Sequence, residues 1–154
     1  MKPYSPKEYR VVSLRECPLP DQMYECSTPD KAVAYWRSNV STSPAYNPDV
    51  ENLYVIMVNT RRKILGHAHV STGIMDSIIV HPREVFRPAI VMSAAAIIIG
   101  HNHPSGESQP SEADIKVTRD LIRAGQCLKI DVLDHVVVGN GQHTSLRELG
   151  YFYS

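Results

Sequence analysis

A short apolar run that ends in two histidines is the feature that most restricts how this chain can fold. Residues 94–100 (AAAIIIG) are uninterrupted by charge and rich in β-branched side chains, and His101-Asn102-His103-Pro104 follows directly. Such a run predicts a strand buried on both faces. Because side chains alternate along an extended backbone, His101 and His103 are expected on one side of the strand's C-terminal end. The fold must then bring two imidazoles to one place.

A helix is predicted to begin shortly after this strand. Pro110-Ser111 opens a pattern of apolar residues at helical spacing that closes at Gly125, which we expect to be the glycine that ends the helix. Asp114 then lies in the first turn and points back toward the strand end. Taken alone, residues 111–114 are most simply a helix cap, with serine as the N-cap and a carboxylate favoured by the helix dipole.

Together with the two histidines, Asp114 completes a ligand set. Two neutral imidazole nitrogens and one carboxylate suit a zinc ion that keeps its fourth tetrahedral position for water. A site with an open position is typical of hydrolases rather than of structural zinc. At this spacing we therefore favour His101, His103 and Asp114 as zinc ligands over the capping interpretation.

Three motifs in order resemble the RadC branch of the JAMM/MPN+ (JAB domain) zinc metallopeptidase superfamily. They are Val80 to Phe86 (VHPREVF), His101 to Gly106 (HNHPSG) and Leu133 to Gly139 (LDHVVVG), within a region of similarity from about Glu51 to Tyr151. The resemblance implies an MPN/JAB-type α/β sandwich with a mixed sheet and flanking helices. This fold is similar in outline to that of the cytidine deaminases, although the deaminase signature of H-x-E with P-C-x-x-C is absent.

The resemblance also implies roles for the site residues. The two histidines and Asp114 would hold zinc, and a serine stands in the family pattern where Ser111 stands. A glutamate from an upstream strand corresponds by position to Glu51, which would act as general base, while Ser111 would donate to the developing oxyanion. The alternative for Glu51 is an ordinary solvated residue before a strand, because a lone glutamate carries little local signature.

Two departures from the wider family are visible. Many JAMM sequences have serine or threonine between the histidines, whereas Asn102 stands here, as expected of the RadC branch. Longer RadC-type proteins carry an additional helical, DNA-binding-like region at the N-terminus, for which this chain is expected to have no room. That expectation weakens any argument for DNA repair that is taken from the family name.

Composition limits the remaining possibilities. With 154 residues and 43% hydrophobic content, we expect one domain over residues 1–154, with the motifs in 51–151 and a strand and helix extension in 1–50. The 16 basic and 16 acidic residues give no net attraction to nucleic acid. No apolar run reaches the length of a membrane span, and no signal peptide is recognisable, so the sequence predicts a cytoplasmic protein without membrane contact. The three cysteines suggest neither disulfides nor a thiolate zinc site.

Propensity and turn signals place the other elements. Thr28-Pro29 predicts the start of a helix that reaches about Asn39, followed by a proline-containing loop. The further predictions are strands at Tyr9–Leu14, Leu53–Asn59, Ile64–Ser71, Ile78–His81 and Lys129–Val138, a helix at Pro82–Ser93 with an irregularity at Pro88, a turn at Gly139–Gly141, and a short helix at Ser145–Leu149.

Two other histidine-containing segments could contribute to a metal site. His67 and His69 would also share one face of a strand, but no carboxylate follows them at a comparable spacing, so a polar sheet face is favoured over a metal site. His135 lies in a strand-like run, where a hydrogen-bonded core histidine or one that supports a ligand is expected. Asp134 could orient a ligand imidazole or hold a strand end.

Three functional hypotheses follow. The favoured one is a zinc metallohydrolase acting on an amide bond of a peptide or protein, including isopeptide-like bonds. The others are a DNA-associated repair accessory or nuclease-like protein, and a metal-binding interaction module without hydrolytic activity. The sequence does not predict the substrate, although the loops at Gly73–Ser77 and Ser105–Gln109 would flank the site. It does not predict the oligomeric state either.

Overall fold

The computed structural model describes residues 3–20, 23, 25–73 and 80–152. Within these residues the chain forms a five-stranded sheet with the order β2-β1-β3-β4-β5. The strands are β1 (Asn52–Val58), β2 (Ile64–Thr72), β3 (Ala96–Asn102), β4 (Asp131–Val138) and β5 (His143–Ser145), and the helices are α1 (Pro29–Tyr35), α2 (Pro82–Val91) and α3 (Glu112–Leu128).

The sheet is mixed, as predicted. Strand β1 lies antiparallel to both β2 and β3, β3 and β4 are parallel, and β5 returns antiparallel to β4. The parallel pair is joined by α3, as a crossover between parallel strands requires. Because β1 and β3 are antiparallel neighbours, the start of β1 lies beside the end of β3, where the two histidines are found.

Helices cover both faces of the sheet, which confirms the α/β sandwich. One core contains Val85 and Phe86 of α2 and Val117 and Leu121 of α3, packed on alternate residues of β1 and β3. The other core packs α1 and the π-helical turn that continues it, Trp36–Val40, on the opposite side of the same strands. Every residue of β1 and β3 is buried. This is the burial that the apolar composition of residues 94–100 predicts.

Local signals explain most of the helix starts. The Thr28 side chain accepts from the Lys31 amide, and Pro29 occupies the first helical position of α1, as predicted. The helix α2 likewise opens with Pro82 and contains Pro88 in its interior. The hairpin of β1 and β2 is also confirmed.

Two predicted elements are wrong. Residues 9–14 form no strand: the side chains of Tyr9 and Leu14 are 85% and 95% exposed, and alternation alone does not supply a neighbouring strand. Residues 145–149 form no helix, because Ser145 ends β5 and turns follow it. The tertiary contact of this segment is with β4, since the Leu146 amide donates to the His135 carbonyl at 2.9 Å.

The predicted end of the long helix is also wrong. The helix α3 continues past Gly125 to Leu128, and Lys129 ends it with a left-handed backbone, φ 60°. A Cβ at Gly125 would lie 2.4 Å from the carbonyl oxygen of Ile130. Glycine is therefore needed at this position for close packing against the returning chain, not for the helix terminus. Of the predicted strand at 78–81, residues 78 and 79 lie outside the described residues, and Val80 and His81 are not in a strand.

Among the described residues, no helix combines the length and the apolar character that crossing a bilayer requires.

Candidate metal centre

Three side chains converge where β3 ends and α3 begins. His101 is in β3, and His103 follows two residues later on the same side. Their Nε2 atoms are 3.0 Å apart. The Asp114 carboxylate faces both rings, with Oδ1 at 3.3 Å from His101 Nε2 and Oδ2 at 3.2 Å from His103 Nε2. The structure thus brings together the three side chains that the sequence analysis selected as ligands.

These separations fit a common zinc ion. Ligand atoms bound to zinc at about 2.0–2.1 Å in tetrahedral geometry are about 3.3 Å from one another. The separation of the two Nε2 atoms, 3.0 Å, is close to one edge of such a tetrahedron, and so is the distance from each Nε2 to its nearer Asp114 oxygen, 3.3 Å for His101 and 3.2 Å for His103. Nitrogen and carboxylate oxygen are also the donors that zinc accepts in catalytic sites. The residues present therefore fit the group that the family resemblance implies.

Burial and charge favour a cation at this cluster. The His101 side chain is fully buried, and that of Asp114 is only 2% exposed. Burial alone would raise the pKa of Asp114, but the adjacent imidazoles of His101 and His103 and the hydrogen bond from the Ser111 amide outweigh it, and the pKa lies well below its usual range. Asp114 in turn raises the pKa of His103. A buried carboxylate held in its charged form requires positive charge nearby.

The capping interpretation of Asp114 is confirmed. Ser111 is the N-cap of α3: its hydroxyl accepts from the Asp114 amide at 3.1 Å, and Asp114 Oδ2 accepts from the Ser111 amide at 2.8 Å. This reciprocal capping box orients the carboxylate toward the histidines. The cap and the proposed ligand role are thus compatible, because one carboxylate has lone pairs for both.

Glu51 lies at the rim of this cluster. It precedes β1, and the antiparallel register that pairs Leu53 with His101 brings it to the histidines. Its Oε1 is 3.9 Å from His103 Nε2, and one ligand atom each from Glu51, His101 and His103 lie within 4.8 Å of one another. Its side chain is 23% exposed, which leaves it accessible to solvent.

Asn102, noted in the sequence only as a departure from other JAMM proteins, holds the segment that carries Glu51. Its side-chain oxygen accepts from the Asn52 amide at 2.8 Å, and its side-chain nitrogen donates to the Val50 carbonyl at 2.9 Å. It faces away from the histidines because strand side chains alternate. The signal that could have identified it is a polar residue at a strand position that must be buried.

Each histidine has a partner for its second nitrogen. His103 Nδ1 is 3.0 Å from the Glu107 carbonyl, so Nδ1 donates and Nε2 keeps the lone pair that can bind metal. His101 Nδ1 is 2.7 Å from Nε2 of His135, which is completely buried behind it. His135 is therefore a hydrogen-bonded core histidine, and one that contacts a candidate ligand.

The rival pair on β2 has other partners. His67 Nδ1 is 2.8 Å from the Tyr35 hydroxyl, and His69 Nε2 is 2.7 Å from the Thr72 hydroxyl. Both rings also pack beside Tyr54, on the side of the sheet opposite the candidate centre. This arrangement agrees with the polar sheet face predicted for the pair.

Asp134 also has partners outside the candidate centre: it accepts from the Ser145 hydroxyl and from the Arg147 amide.

Comparison with known proteins now decides the family. A family model described as "RadC-like JAB domain" matches residues 26–151, most of the chain. The chain belongs to the RadC-like JAB domain family. It is 52% identical over 100 residues to a "UPF0758 protein" of Moorella thermoacetica, covering 65% of this chain and 44% of that protein. It is 49% identical over 102 residues to a "UPF0758 protein" of Caldanaerobacter subterraneus, covering 66% and 44%.

A third relative has a similar level of identity. A "UPF0758 protein" of Methanococcoides burtonii is 46% identical over 101 residues, covering 66% of this chain and 44% of that protein. The match thus spans less than half the length of these curated relatives. Their names specify no activity, so the chemistry of this RadC-like JAB domain depends on its own site residues.

Proposed function

We propose that the chain is a zinc-dependent metallohydrolase that cleaves an amide bond of a peptide or protein, with His101, His103 and Asp114 holding the metal. The observation that carries this proposal is the close approach of the three side chains. The Nε2 atoms of His101 and His103 are 3.0 Å apart, and each has an oxygen of Asp114 at 3.2–3.3 Å, separations close to those between the ligand atoms of a tetrahedral zinc site. Three protein ligands leave one position for a water molecule.

Zinc, when bound, supplies a Lewis acid that lowers the pKa of a coordinated water to about 7. Glu51 is placed to accept a proton from that water, since its carboxylate lies at the rim of the ligand set and is partly exposed. The same carboxylate can return the proton to the leaving amine. Glu51 therefore has the role of general base and then general acid.

We infer that Ser111 would stabilise charge on the substrate. Its hydroxyl oxygen accepts from the Asp114 amide, which uses a lone pair and leaves the hydroxyl hydrogen to be donated. The residue is exposed and adjoins the cluster through its capping bonds with Asp114. Loss of one oxyanion donor typically costs about 3 kcal/mol of transition-state stabilisation.

Metal content tests the ligand assignment. We expect roughly one zinc per chain in the purified protein by elemental analysis, and its loss in His101→Ala and Asp114→Ala. Asp120→Ala is the matched control, because Asp120 is an exposed carboxylate on the same helix. Retention of zinc by both ligand variants would show that the assignment is wrong.

Turnover tests the base. With a peptide and isopeptide substrate panel, Glu51→Gln should lower kcat by roughly 10²–10⁴-fold while zinc content is unchanged. Glu112→Gln, an exposed glutamate at the start of α3, serves as the control. Full zinc loading of the wild type without turnover on any amide would instead support the interaction-module hypothesis, and salt-sensitive cleavage of DNA would support the nuclease-like one.

A further inference from the structure

A chain of three buried side chains runs from α3 to the back of His101. The Thr118 hydroxyl lies 2.7 Å from the Asp114 carbonyl and 2.5 Å from His135 Nδ1. The other ring nitrogen of His135, Nε2, lies 2.7 Å from His101 Nδ1. Thr118, His135 and His101 each have 0% exposure, so water does not compete for these hydrogen bonds.

The direction of every hydrogen bond in this chain follows from its first member. A carbonyl oxygen can only accept, so the single hydroxyl hydrogen of Thr118 goes to the Asp114 carbonyl. The Thr118 oxygen must then accept, and His135 Nδ1 must carry a hydrogen. A neutral His135 consequently presents a lone pair at Nε2, and His101 donates to it from Nδ1. The remaining nitrogen of His101, Nε2, is left with a lone pair toward His103 and Asp114.

The environment of His135 supports its neutral form. His135 is completely buried, and burial disfavours the charged form of an imidazole. A neutral imidazole has one donor and one acceptor nitrogen, which is what the chain of bonds requires.

We propose that Thr118 and His135 are positioning residues that set the tautomer of His101, so that its Nε2 is held ready to bind the metal. The proposal rests on the metal centre proposed above and adds two residues to it that do not touch the ion. Thr118 stands one helical turn after Asp114 on α3. The same helix thus supplies one ligand and prepares another.

The tautomers of the two proposed histidine ligands are fixed by different kinds of hydrogen-bond partner. His103 donates to a backbone carbonyl, that of Glu107, which no substitution of a side chain removes. His101 depends on two side chains, so its preparation can be abolished by mutation. Removal of the Thr118 hydroxyl leaves His135 Nδ1–H without its acceptor. The hydrogen of His135 is then expected on Nε2, from which it is donated to His101 Nδ1. His101 must then accept at Nδ1, so its own hydrogen lies on Nε2, the nitrogen that faces the metal site.

The test compares Thr118→Val, which is nearly isosteric, with Thr118→Ser, which keeps the hydroxyl. In metal-free protein near pH 8, nitrogen NMR of the histidine rings should show hydrogen on Nδ1 of His101 in the wild type and in Thr118→Ser, and on Nε2 in Thr118→Val. Zinc affinity, measured by competition with a chromophoric chelator, should fall about 10–100-fold in Thr118→Val and change less than about threefold in Thr118→Ser.

A second pair covers the case in which Thr118→Val does not fold. His135→Gln keeps an acceptor oxygen near His101 Nδ1 and should retain affinity, whereas His135→Leu should lose it. Thr144→Val, which removes a half-buried hydroxyl elsewhere in the sheet, should have no effect on either readout. The proposal is overturned if wild-type His101 carries its hydrogen on Nε2, or if Thr118→Val and His135→Leu bind zinc like the wild type. Because the tautomer is read without metal, failure of the wild type to bind zinc would overturn the proposed function but leave the tautomer result standing.

Discussion

At the scale of single residues, Asp114 combines two tasks that are usually separate. It closes the capping box of α3 with Ser111, and it faces the two histidines with both oxygens. The cap holds the carboxylate in one orientation before any metal arrives, which reduces the entropy lost on binding. Stability and metal affinity should therefore respond differently to substitutions at this position.

Asp114→Asn separates the two tasks. The amide oxygen can still accept from the Ser111 amide, whereas Asp114→Ala removes the cap and should cost about 1 kcal/mol in the free energy of unfolding of metal-free protein. We predict a smaller loss of stability for Asp114→Asn, together with a fall in zinc affinity of at least about tenfold in both variants. Denaturant unfolding and chelator competition measure these quantities, and a wild-type zinc affinity in Asp114→Asn would contradict the prediction.

At the scale of elements, two residues near the C-terminal end of helix α3 determine how the chain continues into β4. Gly125 lies inside the helix, packed against the Ile130 carbonyl and the Phe86 ring, while Lys129 provides the left-handed terminus. The return of the chain into β4 requires both features within five residues. This geometry positions β4, and with it His135, against β3.

Substitutions at these two positions should have opposite effects on stability. In an ordinary helix interior, Gly→Ala stabilises by about 1 kcal/mol, but a Cβ at Gly125 would meet the Ile130 carbonyl oxygen at 2.4 Å. We therefore predict that Gly125→Ala destabilises the protein by roughly 2 kcal/mol or more. Lys129→Gly should stabilise it by up to about 1 kcal/mol, because glycine adopts the left-handed conformation without strain. If Gly125→Ala proved stabilising in urea unfolding, the close packing would be disproved.

At the scale of the whole molecule, the sheet separates two clusters of histidines. His101, His103 and His135 lie on the side of α3, while His67 packs with Tyr35 on the side of α1. Burial, with a smaller contribution from the charge of Arg15, lowers the pKa of His67 from 6.5 to about 4. His67 therefore binds a proton less readily in the folded chain than in the unfolded chain.

This difference predicts a loss of stability in acid. Between pH 6.5 and about 4, His67 is protonated in the unfolded state but neutral in the folded state. The free energy of unfolding therefore falls as the pH is lowered through this range. His135, also with a lowered pKa, acts in the same direction. In metal-free protein, His67→Gln should reduce this loss by about 1–2 kcal/mol, after allowance for partial exposure of the ring. His69→Gln, at an exposed position on the same strand, is the control, and an unchanged pH profile in His67→Gln would refute the assignment.

Much of the fold could be predicted from local sequence. The apolar run at 94–100, the Thr28-Pro29 cap and the strand propensities of the β1 and β2 segments each agree with the structure, because their signals lie within a few residues. The errors share one cause. Tyr9–Leu14 alternates like a strand but has no neighbouring strand among the described residues, and Gly125 resembles a helix terminus but serves a contact with residue 130. A local pattern does not report which other segment lies beside it.

The candidate site likewise combines contacts that local sequence predicts with contacts that depend on distant segments. The sequence by itself determined that His101, His103 and Asp114 would meet, because a strand, a short turn and a capped helix place residues so close in the chain with little freedom. Only the tertiary structure decided the remaining contacts, since these partners are far apart in sequence. The pairing of β1 with β3 brings Glu51 to the histidines, Asn102 holds the segment that carries it, and the parallel pairing of β3 with β4 places His135 behind His101.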